Sequence, residues 1–201
     1  MTKQLDASWA VGTDAGGLDT GAVAATTWYY VYIIRKDSDG SIDALFSLSD
    51  TEPTMPAGYT YKRRIGEIYT LVTTHYISPF FQVGNRFFLK TRVLSVNTTN
   101  PGASAVLSTM ICPPSQLAVI ESWIYNTDGT GGYYLFTSPS EVDSTPSGAL
   151  CDGWSDSTDR SQHIDKTLFT DSSSRIRYRF SATTTNTTIS IFSLGWIDTG
   201  I

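Results

Sequence analysis

The stretch Ser174–Phe180 alternates Ile176, Tyr178 and Phe180 with Arg175, Arg177 and Arg179. In a strand this rhythm puts three apolar side chains on one face and three guanidiniums on the other; no helix could sort them that way. β-type runs rich in Ile, Val, Tyr, Phe and Thr recur at Thr27–Arg35, Ile42–Leu48, Tyr59–Tyr69, Arg86–Val96, Ala105–Cys112, Leu117–Tyr125, Tyr133–Thr137 and Thr188–Trp196. A period of 3.6 is nowhere convincing. Between the runs stand turn formers: Asp39-Gly40, Ala57-Gly58, Gly84-Asn85, Asn100-Pro101-Gly102, Asp128-Gly129 and Pro146-Ser147-Gly148. Asp39-Gly40 is the cleanest hairpin signal. The spacing leaves no room for recurring crossover helices, so the chain is expected to be all-β and helix-poor, an antiparallel β-sandwich or jelly-roll-like fold.

With 40% hydrophobic and 16% charged residues in 201, the chain can bury a real core. All-β sandwiches of this length are often single units, so one domain over 1–201 is expected, with any sub-boundary near Thr73–Pro79, where Ser78-Pro79 interrupts pairing. Thr27–Ile34 is apolar on both faces, which fits either a central strand covered on both sides or a face that meets another subunit. The net charge of −5 argues against phosphate backbones as partners. No apolar run reaches the roughly 18 residues of a spanning helix, and the start lacks a secretory core, so neither membrane insertion nor export is expected.

Catalytic constellations are thin. Cys112 and Cys151 lie in no metal-spaced pattern and read as solitary thiols, with one disulfide as the alternative. Asp37, Asp39 and Asp43 superficially resemble a calcium loop, but Gly40 is misplaced for one. Asp152, Asp156 and Asp159 in the loop Cys151–Arg160 could also gather a cation, but a polar surface loop is the simpler account. Glu67 and Glu121 fall in strand-like runs, where charge on the solvent face is the simpler account than a hydrolytic pair. His75 reads as a structural histidine and His163 as a surface loop residue; no G-x-S-x-G elbow accompanies them. No enzyme activity, cofactor or metal is expected.

Two features suit binding. Lys62, Arg63 and Arg64, with the row Arg175, Arg177 and Arg179, could meet an anionic partner or pair with acidic residues of a neighbouring strand or subunit. Trp123, Tyr125, Tyr133, Tyr134 and Trp154 surround Gly-, Asp- and Asn-rich loops at Asn126–Gly132 and Ser147–Gly153, a composition suited to sugars, whose C–H faces stack on rings.

The N-terminal block carries more particular motifs. Trp9-Ala-Val-Gly12, Leu18-Asp-Thr-Gly21, Thr27-Trp28-Tyr29, Val31-Tyr32, Leu45-Phe46-Ser47, Pro53-Thr54, Gly58-Tyr59-Thr60 and Arg63-Arg64-Ile65-Gly66 follow in order. This series resembles a family of phage and prophage structural proteins that includes segments of tail fibres and related receptor-binding or head-fibre proteins. The likeness covers about a third of the chain, and Phe80–Leu89 resembles the family's next element. It implies an all-β domain attached to a virion, usually homotrimeric, made in a bacterial cytoplasm and partnered by other virion proteins. With LDTG beginning at Leu18, no long shaft precedes it, so a fibre role calls for a partner protein or a short N-terminal attachment. The expectation is therefore a tail-fibre or receptor-binding component that presents loops to host-surface carbohydrate. The alternative is a capsid decoration or head-fibre protein with a purely structural role.

Overall fold

A computed structural model describes residues 1–72, 76–127, 131–155 and 160–200, and for 160 and 161 the backbone alone. His75, Asp128, Gly129, Asp156 and Asp159 lie outside the described residues. Among the described residues there is no helix, and hence none that could cross a membrane. The described residues form fourteen strands in three sheets, and the chain divides into two compact units, the first ending at Pro79 and the second spanning Phe80–Thr199.

The first unit holds β1 (Lys3–Ser8), β2 (Ala15–Leu18), β3 (Trp28–Lys36), β4 (Ile42–Ser47) and β5 (Tyr59–Tyr69), ordered β1-β2-β4-β3-β5. β3 is flanked by β4 and β5, both antiparallel to it, and Gly40 turns the β3–β4 connection at φ 73°. Its double-sided apolar character matches that central place: Tyr30, Tyr32 and Ile34 join Leu45 and Tyr59 in the core, with Trp9 and Met55 packed alongside, while Val31 and Ile33 are half-buried on the opposite face.

The sheet departs from the antiparallel expectation at its edge, where β1 pairs parallel with β2 and β2 parallel with β4. Parallel neighbours usually need a long crossover. Here the strands are short enough for Trp9–Asp14 to return without one, stitched by Trp9 N–H to Leu18 O (2.8 Å) and Ala10 N–H to Gly16 O (2.9 Å). The approach demands glycine at position 16, because a Cβ there would lie 2.0 Å from the Ser8 carbonyl oxygen.

The second unit holds β6 (Phe80–Val83), β7 (Arg86–Thr99), β8 (Val106–Thr109), β9 (Leu117–Asn126), β10 (Gly132–Thr137), β11 (Gly153–Ser155), β12 (Arg160–Phe169), β13 (Arg175–Phe180) and β14 (Thr187–Ile197). They build two antiparallel sheets, β11-β10-β13-β8 and β12-β9-β14-β7-β6, in a sandwich-like arrangement. Ile176, Tyr178 and Phe180 are buried with Tyr134 and Phe136, and the five-stranded sheet buries Phe87, Ile120, Ile124, Ile189, Ile191 and Trp196. Phe87 and Trp196 stack with ring centroids 4.9 Å apart. β12 is a ten-residue strand in a region read from the sequence as loop. Its inward positions, Gln162, Ile164, Lys166 and Leu168, mix polar with apolar side chains, and this conceals the alternation.

Candidate functional site

The register of the five-stranded sheet fixes what its outward face displays. Along β9 the even positions point into the core, which leaves Glu121, Trp123 and Tyr125 on the other face. Tyr125 stands opposite Thr188 of β14, which in turn opposes Thr99 of β7. Trp123 stands between His163 of β12 and Ser190 of β14, with Asn97 beyond. Two rings, 45% and 48% exposed, are thus set among hydroxyl and amide side chains, with Ser190 Oγ 3.3 Å from Asn97 Oδ1. Further along the same face the character turns apolar, with exposed Phe88 and Phe81 paired across β7 and β6, followed by Val83 and, on β12, Phe169.

Between these two ends lies a charged knot on Glu121. Its Oε2 accepts from Arg92 Nη1 at 2.7 Å, and its Oε1 accepts from Trp123 Nε1 at 3.1 Å and contacts His163 Nε2. The Arg92 guanidinium lies 5.2 Å from the Trp123 ring centroid and 4.4 Å from that of Phe192, and His163 meets Trp123 edge-on. Burial pushes the Glu121 carboxyl upward, but the bonds from Arg92, Trp123 and His163 outweigh it and hold the group below the usual carboxylate range. Glu121 and Glu67 are both buried, which overturns the solvent-face account of these residues. His163 is on a strand, and not in a loop, because β12 pairs along the whole length of β9.

The remaining candidates are dispersed. Tyr133 and Trp154 oppose each other across β10 and β11, both exposed on the other sheet of this unit. Tyr134 is 1% exposed, and its hydroxyl donates to Gln162 Oε1, so it belongs to the core and offers no stacking surface; the β10 alternation turns it inward between two outward neighbours. The arginine row of β13 is engaged within the chain. Arg175 pairs with Asp171 (2.8 Å), Arg177 donates to the Pro139 and Glu141 carbonyls (both 2.9 Å), and Arg179 pairs with Asp143 (2.8 Å). The Arg177 and Arg179 bonds pin the Ser138–Asp143 segment against the outer face of β13. Part of this segment lines a cavity of about 400 Å³, in which Lys166 and Asp152 are already paired at 2.7 Å and Glu141 Oε1 accepts from Ser138 N–H at 3.2 Å. Arg63 and Arg64 belong to β5 of the first unit, Arg63 exposed and Arg64 half-buried with its guanidinium 5.4 Å from the Tyr30 ring centroid.

The aspartates of the Asp37–Asp43 turn do not converge. Asp37 accepts from Thr60 Oγ1 at 2.5 Å, Asp39 from Ser41 N–H at 2.9 Å, and Asp43 is ion-paired to Lys3 at 2.9 Å. Cys112 and Cys151 are free thiols, the first buried and the second half-buried. Sequence reasoning did not reach Arg92, Asn97, Thr188 and Ser190. They carry no local signal, since what unites them is cross-strand register alone. No protein-family model, curated protein or solved structure matches this chain.

Proposed function

We propose that the chain is a non-catalytic adhesion component of a phage particle, of tail-fibre or receptor-binding type, that lays a host-surface carbohydrate across the polar end of the five-stranded sheet. One observation carries this reading: Trp123 and Tyr125 are exposed side by side on one strand face, about 6.8 Å apart along it, flanked by Asn97, Ser190 and Thr188. Rings supply stacking area for sugar C–H faces, while the neighbouring amide and hydroxyls accept and donate to sugar hydroxyls. The presenting surface is then a sheet face as well as loop tips. The virion setting rests on the likeness of the N-terminal motifs to phage structural proteins. Repetition in a homotrimer of jelly-roll-like subunits would convert weak single contacts into avidity.

A second reading is favoured by the apolar end of the same face. Exposed Phe81, Val83 and Phe88 suit burial against protein, as in a head-fibre or decoration protein that contacts other virion proteins or its own copies. Glycan-array binding by the purified protein separates the two. Under the adhesion reading the protein retains a defined glycan class, and Trp123→Ala and Tyr125→Ala each weaken it about two- to tenfold, the worth of one stacked ring. No retained glycan, or binding indifferent to both substitutions, refutes adhesion. Sedimentation analysis tests the trimer, and a lone monomer refutes it.

A further inference from the structure

The sheet face also brings together one imidazole and two carboxylates. His163 and Asp165 are two residues apart on β12 and so share the outward face, and Asp165 is the register partner of Glu121 on β9. One donor atom from each of Glu121, His163 and Asp165 lies within 4.8 Å of the other two. We infer that this trio is a binding site for a divalent transition ion of the zinc class.

Three features argue for it. The first is charge. Carboxylates directly opposite each other on adjacent strands repel, and Arg92 is bonded to one of them, at Glu121 Oε2. That leaves the Glu121 Oε1 side facing His163 and Asp165, where a divalent cation would neutralise the surplus. The second is preorganisation. Glu121 is the buried member, and its carboxylate is oriented by Arg92 at Oε2 and by Trp123 at Oε1, in the manner of the outer partners that orient metal ligands. His163 and Asp165 are the exposed members; an ion entering from solvent would displace the His163 contact with Glu121, and small side-chain rotations would then set the ligand atoms about 3.3 Å from one another around a tetrahedral ion. The third is ligand type. One imidazole nitrogen with two carboxylate oxygens suits zinc and its neighbours better than calcium, which takes six to eight oxygens. A fourth position would stay open to water on the exposed side.

The inference goes beyond adhesion and does not depend on it, because it is read without any sugar. Untagged full-length protein is titrated with Zn²⁺ by calorimetry, and Co²⁺ is used as a spectroscopic probe. The expected result is saturable uptake of one ion per chain, with visible ligand-field bands for Co²⁺. His163→Ala and Asp165→Asn each weaken uptake at least about tenfold, the low end of what even supporting residues cost. Both positions are exposed, so both variants should keep the wild-type circular dichroism. His75 and His163 are the sole histidines, so His75→Ala serves as the control and leaves uptake intact. No saturable uptake by the wild-type chain, uptake unchanged in either His163→Ala or Asp165→Asn, or uptake abolished by His75→Ala overturns the assignment.

Discussion

Lys3 and Asp43 form an ion pair with each side chain only 2% exposed, and breaking one side of it is the sharpest test of how the first unit is held together. Lys3 Nζ lies 2.9 Å from Asp43 Oδ1 and 3.0 Å from Oδ2, donates to the Ala10 carbonyl at 2.6 Å, and sits 5.2 Å from the Trp9 ring centroid. At that separation and an effective dielectric of about 20 the attraction is about 6 kcal/mol, offset by several kcal/mol of desolvation for each ion. The intact pair therefore contributes little net stability. Removing one partner strands the other in the interior, and this costs about 3–5 kcal/mol. Lys3→Met keeps the aliphatic stem and isolates the charge. Urea unfolding should show that loss, and hydrogen exchange should place it in residues 1–79. The double variant Lys3→Met/Asp43→Leu should recover part of it, short of full recovery because Gly12 N–H (3.0 Å) and Ala44 N–H (2.7 Å) lose their carboxylate acceptor, about 1–2 kcal/mol. A Lys3→Met cost below about 1 kcal/mol, or strict additivity in the double variant, would refute the argument, since either outcome means the pair is screened as at a surface.

Other consequences follow from packing and titration. Gly16→Ala pushes a methyl group to 2.0 Å from the Ser8 carbonyl oxygen, and it should cost about 2 kcal/mol or more and erase exchange protection across Lys3–Ser8. Trp196→Ala removes a 1%-exposed indole stacked on Phe87, for an expected loss of about 3–5 kcal/mol by chemical denaturation. At Asp171, burial pulls the carboxyl upward, but the Arg175 side chain and the Arg175 and Ser173 amides pull harder and lower it from its usual 3.8. The folded value lies below the unfolded one, so the stability it lends is complete above the usual value and is lost as pH falls through the folded value. Asp171→Asn, which cannot titrate, should therefore lose less stability than the wild type as pH falls below the usual carboxylate range in acid unfolding curves, and an unchanged acid limb would contradict the bonding described.

How much was legible beforehand differs by element. Tyr59–Tyr69 occupies the span that alternation and turn residues predict, and β13 shows its three apolar residues inward and its three arginines outward. β1 and β2 escaped notice because six- and four-residue strands, one of them Ala-Gly-Gly-Leu, are too short and too poor in β-formers to show a pattern. β12 escaped because two of its inward side chains, Gln162 and Lys166, are made tolerable by Tyr134 and Asp152, which come from elsewhere in the chain. Trp123 and Tyr125 stood out by residue type, whereas their exposure on a sheet face did not.

From composition and rhythm alone, the chain was committed to being helix-poor, sheet-built and cored by aromatic and β-branched side chains, because the side-chain period of two is a local property of consecutive residues. Only the tertiary structure decided which strands are neighbours. That choice places Arg92 and His163, 29 and 42 residues from Glu121 in sequence, around one carboxylate, and turns the β13 arginines to holding a loop. Pairing between distant strands is settled by which faces can be buried together and which backbone groups can be satisfied, and no short window of sequence contains that information.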